Sequence, residues 1–248
     1  METRIEEIFP GTYRLSTYVA KIDLQFNQFL VDDDEPLLYH TGMKGLFPYV
    51  GDAVAKILDP ARICWIGFSH FESDECGSLN EWLSVAPDAK PVCGTVGALV
   101  NINDFIGGRA HVLADGETFS TGRHRFRFLE TPHVPHAWDA SLLFEETEGT
   151  LYCSDLFLQN GSADALTEVD IVPSARQALA AYQAGPLANP YPYSPLTGPT
   201  LQRLAQLKPR VLAAMHGSSF RGDCAAALDA LARVYAEMLG APREESQR

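Results

Sequence analysis

Apolar positions along this chain switch repeatedly between two spacings. Alternation in GTYRLSTYV (11–19) predicts a strand, and FNQFLVDDDEPLLYHTG (26–42) predicts two more joined at the acidic turn DDDEP. LFPYVGDAVAKIL (46–58) moves to helical spacing and ends before Asp59-Pro60, a helix stop. RICWIGF (62–68) is a continuous apolar run, the pattern of a strand buried on both faces. SLNEWLSVA (78–86) predicts a short helix, and KPVCGTVGALVNI (90–102) a strand turning into a helix. RAHVLADGETFSTGRHRFRFLETP (109–132) reads as strands with an Asp-Gly turn between them. ASLLFEETEGTLYCSDLF (140–157) reads as a hairpin closed at Glu-Gly and running into Asp155. Residues 161–199, including the proline-rich GPLANPYPYSPLTGP, lose the pattern and read as an irregular excursion over the surface. TLQRLAQL (200–207) and DCAAALDALARVYAEML (223–239) are amphipathic helices flanking the short strand of RVLAAMHG. The tail APREESQR (241–248) is expected to fray. Without repeats or a clear linker, residues 1–248 are expected to form a single domain, α/β in class with mixed sheets.

With 248 residues, 46% hydrophobic and 21% charged, the chain can bury a substantial core. Nineteen basic against 32 acidic residues leave a formal charge of −13, with no basic run. Such a surface repels phosphate backbones and anionic lipid, so nucleic acid and membrane are poor partners. No apolar run has the length of a membrane span, and METRIEEIFPG does not read as a signal peptide. The five cysteines (64, 76, 93, 153 and 224) are scattered with no CxxC pair. That pattern fits free thiols in a reducing cytoplasm and removes the usual signature of a thiolate zinc site.

Candidate chemistry gathers where apolar strands end. SHFESDECGS (69–78) packs His70, Glu72, Asp74 and Glu75 directly after ICWIGF. His133 and His136 follow FRFLETP, Asp155 follows TLYCS, and His216 follows VLAAM. Singly, each has an ordinary reading: a hydrogen-bonded strand-end histidine, a solvated acidic face, a turn aspartate. Jointly, those readings require independent coincidences at four strand ends of one chain. Imidazoles and carboxylates without thiolates favour iron, manganese or zinc.

The order of these residues resembles the metallo-β-lactamase fold superfamily, whose ligands run H-x-[HE]-x-D-[H], then His, Asp and His. The resemblance extends from His70 to His216, most of the chain. Glu72 resembles the di-iron cores of flavodiiron proteins; hydrolytic members usually carry His there. The stretch HAWDASLLFEE and the separation 155 − 136 = 19 are similar to the same cores, and this spacing selects His136 over His133. The chain also resembles oxygen-binding di-iron proteins, which have that core without a flavodoxin domain; it is too short to add an FMN domain, so no bound FMN is expected.

This resemblance implies a four-layer αββα sandwich. It implies one iron on His70, Glu72 and His136, a second on Asp74 and His216, and Asp155 bridging them. Glu75 departs from the family motif, which ends in His: either Glu75 ligates the second metal, or water takes that place. If it ligates, Glu72, Asp74, Glu75 and Asp155 balance the charge of two divalent ions, and Glu75 should lower the reduction potential. His133 is then a catalytic pocket residue that donates a proton or hydrogen-bonds bound oxygen, or else a solvent-facing turn histidine. Asp139 could orient a ligand imidazole, while Trp138 reads as core or pocket wall. Tyr191 and Tyr193 either line the pocket or simply pack, and His40 hydrogen-bonds a nearby loop. Cys76 and Cys153 read as small buried thiols, and nothing argues for a function of His111 or His124.

The function implied is a non-haem di-iron protein that binds or reduces dioxygen, with nitric oxide as an alternative ligand. Electrons would come from an external donor such as a flavoprotein or rubredoxin-like protein, and relatives of this kind suggest a homodimer. The alternative is a hydrolase with zinc or manganese, acting on an ester, thioester, lactone or phosphodiester. Glu72 weighs against it, because a carboxylate ligand reduces the Lewis acidity that hydrolysis uses. A third class is a binding or sensing module without catalysis.

Overall fold

The computed structural model describes residues 1–240; the frayed tail expected at 241–248 lies outside the described residues. Strands β1 (Thr3–Phe9), β2 (Thr12–Val19), β3 (Leu24–Val31) and β4 (Leu37–Tyr39) form an antiparallel meander. Parallel strands β5 (Trp65–Gly67), β6 (Lys90–Cys93) and β7 (His111–Val112) extend it into a seven-stranded sheet in chain order. The second sheet holds β8 (Thr118–Ser120), β9 (Arg125–Glu130), β10 (Ser141–Glu145), β11 (Thr150–Ser154), β12 (Leu166–Thr167), β13 (Val211–Ala214) and β14 (Ser219–Arg221). Its order is β12-β14-β13-β11-β10-β9-β8, with β11 and β13 parallel at its centre.

The sheets face each other across Phe29, Tyr39 and Trp65 on one side and Phe126, Phe128, Leu143 and Tyr152 on the other. Outside the first sheet, Val50, Ala53 and Val54 of helix Phe47–Ala55 and Trp82 of helix Leu79–Val85 cover Leu15, Leu30 and Ile66. Outside the second, helices Val172–Gln183, Thr197–Gln206 and Cys224–Leu239 cover Leu142, Leu151 and Leu212. These are the four αββα layers. Each large apolar side chain so buried contributes roughly 1.5–3 kcal/mol. At Gly67, a Cβ would lie 2.8 Å from the Tyr39 ring, so the strand leading to His70 needs glycine to lie against β4.

The Asp115-Gly116 turn lies between strands as expected, and it carries the chain from β7 in one sheet to β8 in the other. Several expectations change. Thr3–Phe9, charged and not predicted as a strand, pairs along β2 from Thr3↔Thr17 to Phe9↔Thr12. The apolar run 62–68 contributes only Trp65–Gly67 to pairing, since Pro60–Arg62 forms a helical turn and the chain leaves the sheet after Gly67. The supposed irregular excursion contains the 12-residue helix Val172–Gln183. Pro173 sits in its first turn, where no N–H is required, and Asp170 Oδ1 accepts the Val172 N–H at 3.0 Å. Ala175, Ala178 and Leu179 bury its inner face. Among the described residues, no helix is long and apolar enough to cross a membrane.

Candidate metal centre

The ends of β5, β11 and β13 deliver His70, Asp155 and His216 to one edge of the sandwich. The short helix Ser73–Cys76 adds Asp74 and Glu75, and the loop after β9 adds His136. His70 Nε2 and His136 Nε2 lie 2.7 Å apart, and Glu72 Oε2 is 3.3 and 2.8 Å from them. Asp155 Oδ2 faces this pair, 3.7 Å from His70 Nε2 and 3.4 Å from His136 Nε2. Its other oxygen, Oδ1, faces His216 Nε2 at 3.2 Å, and Asp74 Oδ2 approaches that same nitrogen at 3.3 Å. Glu75 Oε2 lies 3.8 Å from His70 Nε2. Potential donor atoms therefore form compact groups, each within 4.8 Å: His70, Glu72 and His136; Asp74, Asp155 and His216; His70, Glu75 and Asp155; and Glu72, Asp74 and Glu75.

What lies behind each imidazole aims it. His136 Nδ1 donates to the Pro190 carbonyl at 3.1 Å, and its ring stacks on Tyr191 with centroids 5.7 Å apart. His216 Nδ1 donates to the Gln25 carbonyl at 2.8 Å. His70 Nδ1 meets the Ser69 hydroxyl at 2.9 Å, and that hydroxyl also contacts Ser154 Oγ at 2.7 Å. In neutral His136 and His216 the Nδ1 protons are thus committed, and the Nε2 lone pairs point into the cluster. Left-handed backbone concentrates here: His40, His133, Ala137, Ser154 and Phe157 all have φ between 51 and 66°. Such conformations cost about 1–3 kcal/mol each and are retained where the surroundings fix them.

The electrostatics show what this donor set lacks. Burial lowers the pKa of His216, but hydrogen bonds to Asp155 and Asp74 reverse this and carry it up to about 10. Burial likewise opposes protonation of His136, yet the Glu72 hydrogen bond and the Asp155 charge raise its pKa. Hydrogen bonds from His136 and His70 hold Glu72 down at about 2. Burial would raise Asp155, but the His216 hydrogen bond and the surrounding imidazoles keep it below the usual carboxylate range. Glu75 has no such relief: burial, then the charges of Asp155 and Asp74, push it well above its ordinary value. Neither Glu75 oxygen has a hydrogen-bond partner among the described residues, and the residue is only 1% exposed. Converging lone pairs, carboxylates packed together and an orphaned buried carboxylate are the donor set of a hard cation site.

The other candidates fall in different places. His133 is not brought to the cluster: its N–H donates to the Ala137 carbonyl, and among the described residues its side chain makes no hydrogen bond and is not on the cavity wall. Asp139 does not orient an imidazole; its Oδ2 accepts the Phe71 N–H at 3.1 Å and Asn101 Nδ2 at 3.4 Å, fixing the backbone between His70 and Glu72. Trp138 is 62% exposed, so it is not core. Tyr191 lines the cavity beside the cluster and donates to the Asp155 carbonyl at 3.1 Å, whereas Tyr193 is largely exposed and does not line it. His40 is buried, with Nε2 3.3 Å from Ser69 Oγ. Cys76 and Cys153 are buried thiols. Sequence reasoning missed Ser69, although its position beside His70 was a usable signal. It also missed the Gln25 and Pro190 carbonyls, which no side-chain pattern reveals.

A model described as ODP family beta lactamase matches residues 24–217, a span containing every ligand candidate. The rubredoxin-oxygen oxidoreductase of Megalodesulfovibrio gigas is 27% identical over 205 residues, 79% of this chain and 49% of that protein. The nitric oxide reductase of Moorella thermoacetica is 25% identical over 234 residues, 90% of this chain and 54% of that protein. The chain thus spans about half the length of these curated relatives. Among solved structures, rubredoxin oxygen:oxidoreductase from Desulfovibrio gigas matches with TM-score 0.80 and 22% identity, covering 94% of this chain and 62% of that one. The flavodiiron protein from Giardia intestinalis matches with TM-score 0.80 and 18% identity, covering 96% and 60%. At these identities the structural likeness establishes the fold.

Proposed function

The chain belongs to the ODP family of beta lactamases, and on that premise we propose that it holds two iron ions and there binds, and with a donor reduces, dioxygen or nitric oxide. The observation that carries this is the disposition of Asp155, with one carboxylate oxygen toward His70 and His136 and the other toward His216. A carboxylate with ligand groups on both sides is suited to a pair of ions. His70, Glu72 and His136 would hold one ion and Asp74 and His216 the other, with Asp155 shared between them. Two such ions, when bound, supply redox-active coordination for a diatomic ligand. The named activities of the two curated relatives motivate dioxygen and nitric oxide as the ligands. The rubredoxin in one of those names motivates a separate rubredoxin-like or flavin-bearing donor.

The protein's own groups do the rest. Ser69, Gln25 and Pro190 fix the imidazoles, so the donor atoms are aimed before any ion arrives. A cavity of about 740 Å³ opens over Glu72, Asp74, His136, Asp155 and His216. Leu24, Phe26, Met43, Leu158 and Leu187 give it an apolar wall, which favours a small nonpolar gas over hydrated ions. Tyr182 lines the same cavity, and burial together with the charges of Asp155 and Asp74 raises its pKa. Its phenol is a hydroxyl on the cavity wall that can hand a proton to a basic bound ligand, the role expected of His133, which is not on that wall. Glu72 speaks against hydrolysis, as a second anionic oxygen donor on the His70 side beside Asp155.

Metal analysis of protein purified without oxygen, followed by absorption spectra as air or nitric oxide is admitted, tests this reading. Two irons per chain with a new near-ultraviolet to visible band are expected. Zinc or manganese with no spectral change would overturn it and favour hydrolysis.

A further inference from the structure

The family motif places a histidine where this chain has Glu75, and simple replacement would make Glu75 an end-on ligand beside Asp74 and His216. The structure puts the carboxylate elsewhere. Its donor atoms group with His70 and Asp155, and again with Glu72 and Asp74, but not with His216. One group belongs to the side of the first ion, and the other contains residues from both sides. Glu75 lies on the short helix Ser73–Cys76, whose Ser73 and Asp74 line the cavity, whereas Glu75 itself does not. It is 1% exposed, and neither Oε1 nor Oε2 has a hydrogen-bond partner among the described residues. The one basic side-chain nitrogen near it among the described residues, His70 Nε2, is 3.8 Å away, beyond hydrogen-bonding reach. A buried carboxyl group with neither oxygen hydrogen-bonded, set between two ligand groups, is positioned to take cations on both sides.

We infer that Glu75 is a second bridging carboxylate, serving both ligand groups from off the cavity wall as Asp155 would serve them from the cavity. This rests on the dinuclear reading above. A doubly carboxylate-bridged pair is more anionic and more tightly coupled than one with a terminal histidine. The two ions should then bind and leave together.

The test is anaerobic titration with Fe²⁺, and in parallel with Co²⁺, of the wild type, Glu75→Gln and Glu75→His, with circular dichroism to verify folding. Wild type should take up two ions in one cooperative step. Glu75→Gln, which keeps shape and loses charge, should weaken both ions together, on the order of tenfold or more. Glu75→His should separate uptake into two steps. Glu75→Gln that keeps one ion at full affinity and loses the other would make Glu75 a terminal ligand and overturn the inference, as would unchanged binding of both. If Glu75→Gln fails to fold, Glu75→Asp supplies the same comparison: its shorter reach should weaken both ions equally. A wild type that binds fewer than two ions of either metal would instead sink the dinuclear reading itself.

Discussion

His136 and His216 face the same Asp155 carboxylate from opposite sides, and they are held by different means. The His216 side chain is 3% exposed, follows a central strand of the second sheet and is anchored on the Gln25 carbonyl of the first. Around it, Asn27 Nδ2 donates to the Ala214 and Gly217 carbonyls, and buried Arg14 also donates to Gly217. The two sheets thus grip this end between them. The His136 side chain is 21% exposed, lies on the loop between β9 and β10, and is anchored on Pro190 of the proline-rich segment. Its partner Glu72 is half exposed. One end of the centre is part of the folded core, and the other is assembled from loops over an open cavity. Rigidity at one end and access at the other suit a site that must keep metal while admitting a ligand.

Removing the shared group should have the largest effect. Asp155→Ala is expected to take metal content from two ions per chain to near zero, by mass spectrometry; retention of both ions would refute its place between them. The two histidines should then separate in stability. His216→Ala leaves buried Asp155 without its hydrogen-bonded partner and should cost on the order of 3–5 kcal/mol in the metal-free protein. His136→Ala should cost less, on the order of 1–3 kcal/mol. Equal shifts in urea denaturation midpoints would erase the contrast between core-held and loop-held ends.

The pH dependence sharpens the same contrast. His216 has its pKa raised from 6.5 to about 10, so its contribution to metal-free stability is fully present below pH 6.5 and is lost as pH rises through about 10. Raised Glu75 acts in the same direction. Glu72, lowered from 4.5 to about 2, contributes above pH 4.5 and loses that contribution as pH falls toward 2. Metal-free His216→Ala should therefore show a shallower alkaline decline than wild type in thermal melts. Smaller effects should follow at the periphery. Tyr182→Phe should slow proton-dependent turnover with metal content unchanged, and His133→Ala should alter neither. Tyr191→Phe, which loses its hydrogen bond to the Asp155 carbonyl, should cost about 1 kcal/mol.

Much of this was legible in one dimension. Hydrophobic runs are local, so the hairpin of β10 and β11, the helix at Cys224–Leu239 and the abrupt appearance of ligands after ICWIGF could be read directly. The chemical type of the site was also local, because a residue's donor atoms travel with it. Thr3–Phe9 was hidden because pairing with β2 makes a strand of a segment whose own pattern is charged. Val172–Gln183 was hidden because the prolines around it outweighed an alanine-rich face that only packing rewards. The resemblance to flavodiiron cores, through the spacing to Asp155, selected His136 over His133, but only the fold showed the Pro190 carbonyl that aims it.

The sequence by itself determined which donor atoms this protein owns and the order in which strands release them. Only the tertiary structure decided which oxygens face which nitrogens, that Asp139 braces backbone, and that Glu75 sits among both ligand groups with nothing to bond. The physical reason is that donor identity is covalent, whereas burial, orientation and missing partners are properties of the space between segments distant along the chain.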